Sequence, residues 1–123
     1  AESSDGRTLY FTRPGDHGLW RMTLNTAGAE PELIIADLLH QDRRNWRLLE
    51  DESSSNRIAW IMRVQDSAFL MFHDPATGES SFLSELPGLA GSGLALSPGG
   101  DEIIYARTEN MSADLMLLEG SLP

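Results

Sequence analysis

Residues 58–63, with the sequence IAWIMR, repeat the pattern of residues 8–13, TLYFTR, fifty positions earlier in the chain. Both stretches are short apolar runs that end in an arginine. A third version occurs near the end of the chain, where residues 97–107 (SPGGDEIIYAR) parallel residues 3–13 (SSDGRTLYFTR). The chain is therefore built from similar units that recur about every 44 to 50 residues, a length typical of repeats that contain several short strands.

Each unit contains apolar runs of about five to seven residues, separated by Gly, Pro, Asp, Asn and Ser, as strands and turns usually are. Helical repeats would instead place apolar residues at a spacing of about 3.6 over longer segments. A repeat of about 40 to 50 residues with several strands is typical of β-propeller blades. We therefore predict an all-β fold, a partial β-propeller of about two and a half to three blades, each a four-stranded antiparallel sheet.

The predicted units cover roughly residues 1–40, 41–88 and 89–123. Strands are labelled a to d from the central channel outward. The expected strands are b Thr8–Thr12, c Gly18–Thr23 and d Glu32–Ile35; then a Trp46–Glu50, b Arg57–Val64, c Ala68–His73 and d Ser81–Ser84; then a Gly93–Ser97, b Glu102–Arg107 and c Ala113–Glu119. The first unit thus lacks strand a, and the third lacks strand d. A short helical turn within residues 32–47 is the one alternative, because apolar residues there also fall at a helix-like spacing.

The turn that precedes strand b resembles a known family signature. The chain is similar to TolB-type β-propeller repeats, which carry Ser-Pro-Asp-Gly-x-x-(apolar)-x-(aromatic), at residues 3–11 and 97–105. Each copy departs from the signature once, since Ser4 replaces proline and Gly99 replaces aspartate. Residues 18–21 (GLWR), 45–47 (NWR) and 112–119 (SADLMLLE) also resemble the last blades of propellers attached to bacterial winged-helix transcriptional regulators. This resemblance implies a sensor, scaffold or accessory domain.

Charge and composition limit the partners of the chain. Nine basic and nineteen acidic residues give a net charge of −10, and this field repels phosphate backbones, so we expect no direct nucleic-acid binding. No apolar stretch approaches the roughly 20 residues that a membrane span needs. Cysteine is absent, which excludes disulfides and thiolate chemistry. A cysteine-free chain is compatible with the cytoplasm and the periplasm, of which we slightly favour the periplasm.

Motifs for catalysis or for metal binding are missing from the sequence. His17, His40 and His73 lack the spacing of a zinc site, and the acidic run at residues 50–52 lacks the alternating oxygens of a calcium loop. Residues 91–93 (GSG) do not form the elbow of a serine hydrolase, and no histidine follows them. We therefore expect no catalytic residue, no cofactor and no metal site.

The three tryptophans, Trp20, Trp46 and Trp60, each fall inside a predicted strand, so burial between neighbouring blades is the expected role. A ligand-facing role is the alternative at the innermost strand, where an aromatic ring and several arginines at the mouth of the channel could bind an anionic partner. The residues of this candidate ligand site are Trp46, Arg43, Arg44 and Arg47.

An incomplete ring of blades would expose apolar faces and strand edges. We therefore predict that the partners of this chain are a protein or further propeller blades, in the same polypeptide or from a second copy of the chain. The predicted function is a non-catalytic interaction or sensor module that binds proteins or ligands, as part of a bacterial signalling or regulatory protein. The alternative is the accessory propeller of a hydrolase such as a prolyl peptidase.

Overall fold

The computed structural model describes residues 1–39, 42–50, 56–87, 89–97, 101–109 and 112–120. Within these ranges the chain forms strands and turns and no α-helix. The strands are β1 (Thr8–Phe11), β2 (Leu19–Thr23), β3 (Glu32–Ile35), β4 (Trp46–Glu50), β5 (Asn56–Val64), β6 (Ser67–Asp74), β7 (Glu79–Leu86), β8 (Leu89–Leu96), β9 (Glu102–Glu109) and β10 (Ser112–Glu119). The all-β prediction is confirmed.

The strands form three separate antiparallel sheets in chain order. The first sheet has the order β1-β2-β3, the second β4-β5-β6-β7 and the third β8-β9-β10. The predicted strands all occur, and their ends are shifted by no more than two residues except at the start of β8. That strand begins at Leu89 because Leu89 and Ala90 still pair with β9, ahead of a register shift that precedes Leu94.

The central strand β5 of the second sheet is buried on both faces, and this explains why it is apolar at consecutive positions. Ile58 and Trp60 pack in a cluster with Tyr10 and Leu19 of the first sheet. Ile61, which points to the opposite face, packs with Leu94, Ile103 and Tyr105 of the third sheet. Side chains alternate between the two faces of a strand, so a strand with both faces covered has no solvent side. Burial of each large apolar side chain contributes about 1.5–3 kcal/mol.

The serines that precede β1 and β9 make the same backbone contacts. The Ser3 amide donates to the Thr8 carbonyl at 2.8 Å, and the Ser97 amide donates to the Glu102 carbonyl at 2.9 Å. The two serine hydroxyls accept the amides of Thr8 and Glu102 at 3.0 and 3.1 Å. Each serine also donates to an aspartate, but Asp5 lies two residues after Ser3, whereas Asp101 lies four residues after Ser97. The two turns therefore share the contacts of the serine and differ in the position of the aspartate.

The first sheet has no strand before β1 in the described chain, in line with the expectation that the first unit lacks strand a, although a short segment lies there. Residues 1–3 run antiparallel to β1 on the side away from β2, with a single bridge between Glu2 and Leu9. The Ala1 ammonium donates to the Tyr10 carbonyl at 2.7 Å, and the Tyr10 amide donates to the Ala1 carbonyl at 2.7 Å. A short segment thus occupies the expected position of strand a beside β1.

The fifty-residue alignment is wrong by one residue where it equates β1 with β5. It equates Tyr10 with Trp60, but these two residues belong to one cluster between the sheets. Tyr10 lies on the face of the first sheet that points toward the second sheet, whereas Trp60 lies on the face of the second sheet that points back toward the first. The Ile61 amide of β5 donates to the Asn45 carbonyl just before β4, as the Tyr10 amide donates to the Ala1 carbonyl. Ile61, and not Trp60, is therefore the counterpart of Tyr10. Because side chains alternate with a period of two, a slip of one residue exchanges the faces.

In the described part of residues 32–47, the helical alternative holds only for a short 3₁₀ turn at Asp42. Residues Glu32–Ile35 form β3, and Leu38 is buried in the cluster between the first two sheets. Two consecutive turns follow, in which the Asp42 amide donates to the Leu39 carbonyl at 2.9 Å and the Asn45 amide donates to the Asp42 carbonyl at 2.7 Å. These turns lead directly into β4.

Candidate functional site: an arginine cluster on a braced turn

The residues of the candidate ligand site lie together where the turn at Asp42 enters β4. Arg43, Arg44 and Arg47 are exposed, whereas Trp46 is half-buried. β4 is an edge strand of the second sheet, and it lies beside β8 of the third sheet. The structure therefore brings the four predicted residues to one edge of the molecule. We call the three arginine side chains the arginine cluster.

A buried polar network holds this turn in place. Asp42 is 1% exposed, and its Oδ1 accepts a hydrogen bond from Arg63 Nε at 2.7 Å and one from Asn45 Nδ2 at 2.9 Å. Buried charges are stable in proteins when they are paired and hydrogen-bonded, and Arg63 provides this pairing from the end of β5. The turn is thus tied to the centre of the second sheet.

Asn45 connects the same turn to two further strands. Its Oδ1 accepts the Gly93 amide of β8 at 2.6 Å, and its main-chain carbonyl accepts the Ile61 amide of β5 at 2.9 Å. Asn45 is fully buried. The side chain of one residue therefore fixes the distance between the second and third sheets at the position of the arginine cluster.

The arginine cluster has no acidic partner among the described residues. Ion pairs in that part of the chain join Arg21 to Glu32 and Arg63 to Asp42. Arg47 Nη1 instead donates to the carbonyls of Trp46 at 2.7 Å and Arg44 at 3.4 Å. In a chain with a net charge of −10, three adjacent exposed cations form a local field of the opposite sign.

The three tryptophans occupy three different environments. Trp60 is buried between the first two sheets, as predicted, and Trp46 packs at the edge of the same cluster. The Trp46 indole Nε1 donates to the Arg43 carbonyl at 3.0 Å, so this ring helps to shape the turn. Trp20 lies on the face of the first sheet that points away from the second, where the Arg13 guanidinium stacks on it at 4.0 Å from the ring centroid.

Sequence reasoning missed Asp42 and Asn45, although the signal was present. Aspartate and asparagine between two apolar runs are typical of turns in which their side chains bond to nearby backbone or to each other. Within the segment DRRNWR, the predicted ligand site comprised only the arginines and the tryptophan. The buried partner, Arg63, lies 21 residues away, and no local pattern connects it to Asp42.

His73 forms a second polar pair on the second sheet. Its Nδ1 lies 2.9 Å from the Ser80 hydroxyl of the adjacent strand, because the two residues are directly opposite each other. Burial lowers the pKa of His73, and nearby Arg21 acts in the same direction, whereas Asp74 acts against them. A neutral imidazole is therefore favoured, which fits a cross-strand hydrogen bond.

Several candidates from the sequence lie outside the described residues. These are His40, the acidic residues at 51 and 52, and the turn at residues 98–100. Among the residues that the structure does describe, no three His, Cys, Asp or Glu side chains come together as metal ligands. No helix in the same part of the chain is long and apolar enough to cross a membrane.

No protein-family model, curated protein or solved structure matches this chain.

Proposed function

We propose that this chain is a run of β-propeller blades of the TolB type, and that it acts as a non-catalytic interaction module. The packing of the sheets supports this proposal. A four-stranded sheet whose central strands pack against a neighbouring sheet on each face is the arrangement expected of a blade within a propeller. The repeated serine contacts before β1 and β9 support it as well.

We further propose that the arginine cluster binds an acidic segment of a partner protein. The observation that carries this proposal is that Arg43, Arg44 and Arg47 are exposed and unpaired with acid among the described residues, on a turn braced by the buried Asp42. Arginine binds carboxylates through two parallel hydrogen bonds, and a rigid site loses less conformational entropy on binding. A braced turn whose exposed guanidinium groups face no acidic partner in the described part of the chain meets both conditions.

A binding experiment with a charge-matched control tests this assignment. The probe is a fluorescently labelled oligoglutamate peptide, and the readout is its anisotropy at low salt. We expect saturable binding to the native chain that weakens as salt is added, because exposed charges are screened. The substitution Arg44→Gln should weaken binding about tenfold, the loss of roughly one charge-assisted hydrogen bond.

The control is Arg7→Gln, which removes the same charge from an exposed position just before β1. We expect it to change the affinity by less than about twofold, because distant surface charges are largely screened. Equal weakening by Arg7→Gln and Arg44→Gln would show that the peptide responds to net charge alone. That outcome, or a native chain that fails to bind the peptide at low salt, would refute the assignment of the site.

A further inference from the structure

Asn45 connects the arginine cluster to the third sheet. It lies between Arg44 and Trp46 in sequence, and no part of it is exposed. Its Nδ2 donates to the Asp42 carboxylate at 2.9 Å, and its Oδ1 accepts the Gly93 amide at 2.6 Å. One side-chain amide therefore holds both the turn that carries the arginines and a strand of the third sheet.

The Gly93 amide reaches Asn45 because β8 is irregular at that point. The pairing of β8 with β9 shifts register between Ala90 and Leu94, so Gly93 lies within the break. Its φ of 138° belongs to a region that glycine adopts more readily than other residues. Leu94, the next residue, is 1% exposed and packs with Ile61 of the second sheet. Docking of the third sheet therefore forms the Gly93 bond and buries Leu94 in the same event.

The main chain of Asn45 leads to the same core. Its carbonyl accepts the Ile61 amide at 2.9 Å, and Ile61 belongs to one cluster with Leu94, Ile103 and Tyr105 of the third sheet. Buried side chains are close-packed, so a displacement on one side of a core is felt by the residues on the other side. The position of the arginine turn and the docking of the third sheet therefore depend on each other.

Undocking of the third sheet would release the turn on one side. Asn45 would lose the Gly93 amide, and the core that holds Ile61 would open. Units of this size often open separately, at a lower free-energy cost than unfolding of the whole domain. The exposed arginines would then sample more positions, and a partner would lose more conformational entropy in binding them. The docked state is therefore the one that binds an acidic partner more tightly.

We propose that the binding of an acidic partner at the arginine cluster and the docking of the third sheet onto the second sheet are coupled through Asn45. This inference rests on the binding site proposed above. Coupling between two sites is reciprocal, so a partner that binds the docked state more tightly must also stabilise that state by the same factor. A typical factor is about fivefold or more. A partner on the arginines thus regulates how firmly the third sheet is held.

Amide hydrogen exchange on the chain of residues 1–123 tests the coupling, with and without a saturating concentration of the oligoglutamate peptide. We expect the peptide to slow exchange in β9, the central strand of the third sheet, about fivefold more than in β2 of the first sheet. Strand β2 is the reference because the hydrogen bonds described between Asn45 and other strands reach β5 and β8. The substitution Asn45→Ala should abolish the difference between β9 and β2. Because each variant is saturated with peptide, a change in affinity does not enter the comparison.

The matched control is Asn56→Ala, which removes the same side chain at the other end of the β4–β5 pair, where its Oδ1 has no hydrogen-bond partner in the described chain. This control should keep the difference between β9 and β2, and circular dichroism establishes that each variant is folded. Equal slowing of β9 and β2 in the native chain overturns the coupling, as does a difference that survives Asn45→Ala or that Asn56→Ala also abolishes.

A measurement on the native chain alone decides the matter if Asn45→Ala does not fold. The NMR resonance of the Gly93 amide, which donates to Asn45, should shift as the peptide is added, with the affinity that the anisotropy gives. A resonance that does not move overturns the coupling. A chain that binds the peptide without slower exchange in β9 refutes the coupling and leaves the binding site intact, whereas a chain that does not bind the peptide refutes the site and the coupling together.

Discussion

Replacing Arg63 by methionine should destabilise the fold more than any substitution of an exposed arginine. Arg63 neutralises the carboxylate of Asp42, which is 1% exposed, through a 2.7 Å contact between Nε and Oδ1. Methionine keeps most of the apolar stem of arginine and removes the charge. Asp42 would then keep its hydrogen bond from Asn45, and its negative charge would have lost the guanidinium that the structure places against it.

The expected cost follows from the burial of the pair. Breaking a buried ion pair by removing one partner costs about 3–5 kcal/mol, because the other charge stays buried without compensation. The Arg63 side chain retains 19% exposure, so we expect a value near the lower end, about 3 kcal/mol. This is a large part of the roughly 5–15 kcal/mol that stabilises a typical domain.

Urea denaturation followed by tryptophan fluorescence measures this cost, with Trp60 as a reporter in the buried cluster. Arg47→Met is the matched control, because it makes the same chemical change at an exposed position, and it should cost less than about 0.5 kcal/mol. Asp42→Asn and the double variant complete a double-mutant cycle, in which we expect a coupling of at least about 1 kcal/mol. A coupling near zero, or equal costs for Arg63→Met and Arg47→Met, would refute the argument that the buried carboxylate depends on Arg63.

Two further predictions concern His73 and Gly18. Burial lowers the pKa of His73 below its usual value of 6.5, so the unfolded chain binds the proton more readily, and stability should fall as the pH decreases below about 6.5. The variant His73→Asn should lose less stability between about pH 7.5 and pH 5 than the native chain, as measured by urea midpoints, and identical losses would exclude this role. Gly18 has a φ of 96°, and a Cβ there would lie 2.9 Å from the Ile35 carbonyl oxygen, whereas Gly28, with a φ of 76°, has open space around it. Gly28→Ala should therefore cost about 1–2 kcal/mol and Gly18→Ala at least about 1 kcal/mol more, and equal costs would contradict the clash.

Most strand positions could be predicted from the sequence because the chemistry that forms strands is local. Residues 58–63 are apolar at every position before the arginine, and turn residues bound the runs on either side. The face to which each residue points was not predictable from the repeat alone. The alignment equated Tyr10 with Trp60, and the one-residue difference between their strands becomes visible only when the amide directions are compared.

The arginines of the candidate site were predicted, but the residues that position them were not. The contacts that brace the turn join Asp42 to Arg63 and Asn45 to Gly93, across 21 and 48 positions of the chain. A local sequence pattern describes which residues can form a turn. It does not describe which distant side chain neutralises a buried carboxylate.

The double burial of β5 has a consequence for synthesis and folding. Residues 58–62 (IAWIM) form an uncharged run of high β-propensity, and the third sheet that covers one of its faces is translated later. Such runs are prone to aggregate while they are uncovered, and natural sequences often flank them with charged gatekeeper residues. Arg57 and Arg63 stand at the two ends of this run. The arginine that neutralises Asp42 in the finished fold can therefore also keep the nascent strand from pairing with other chains.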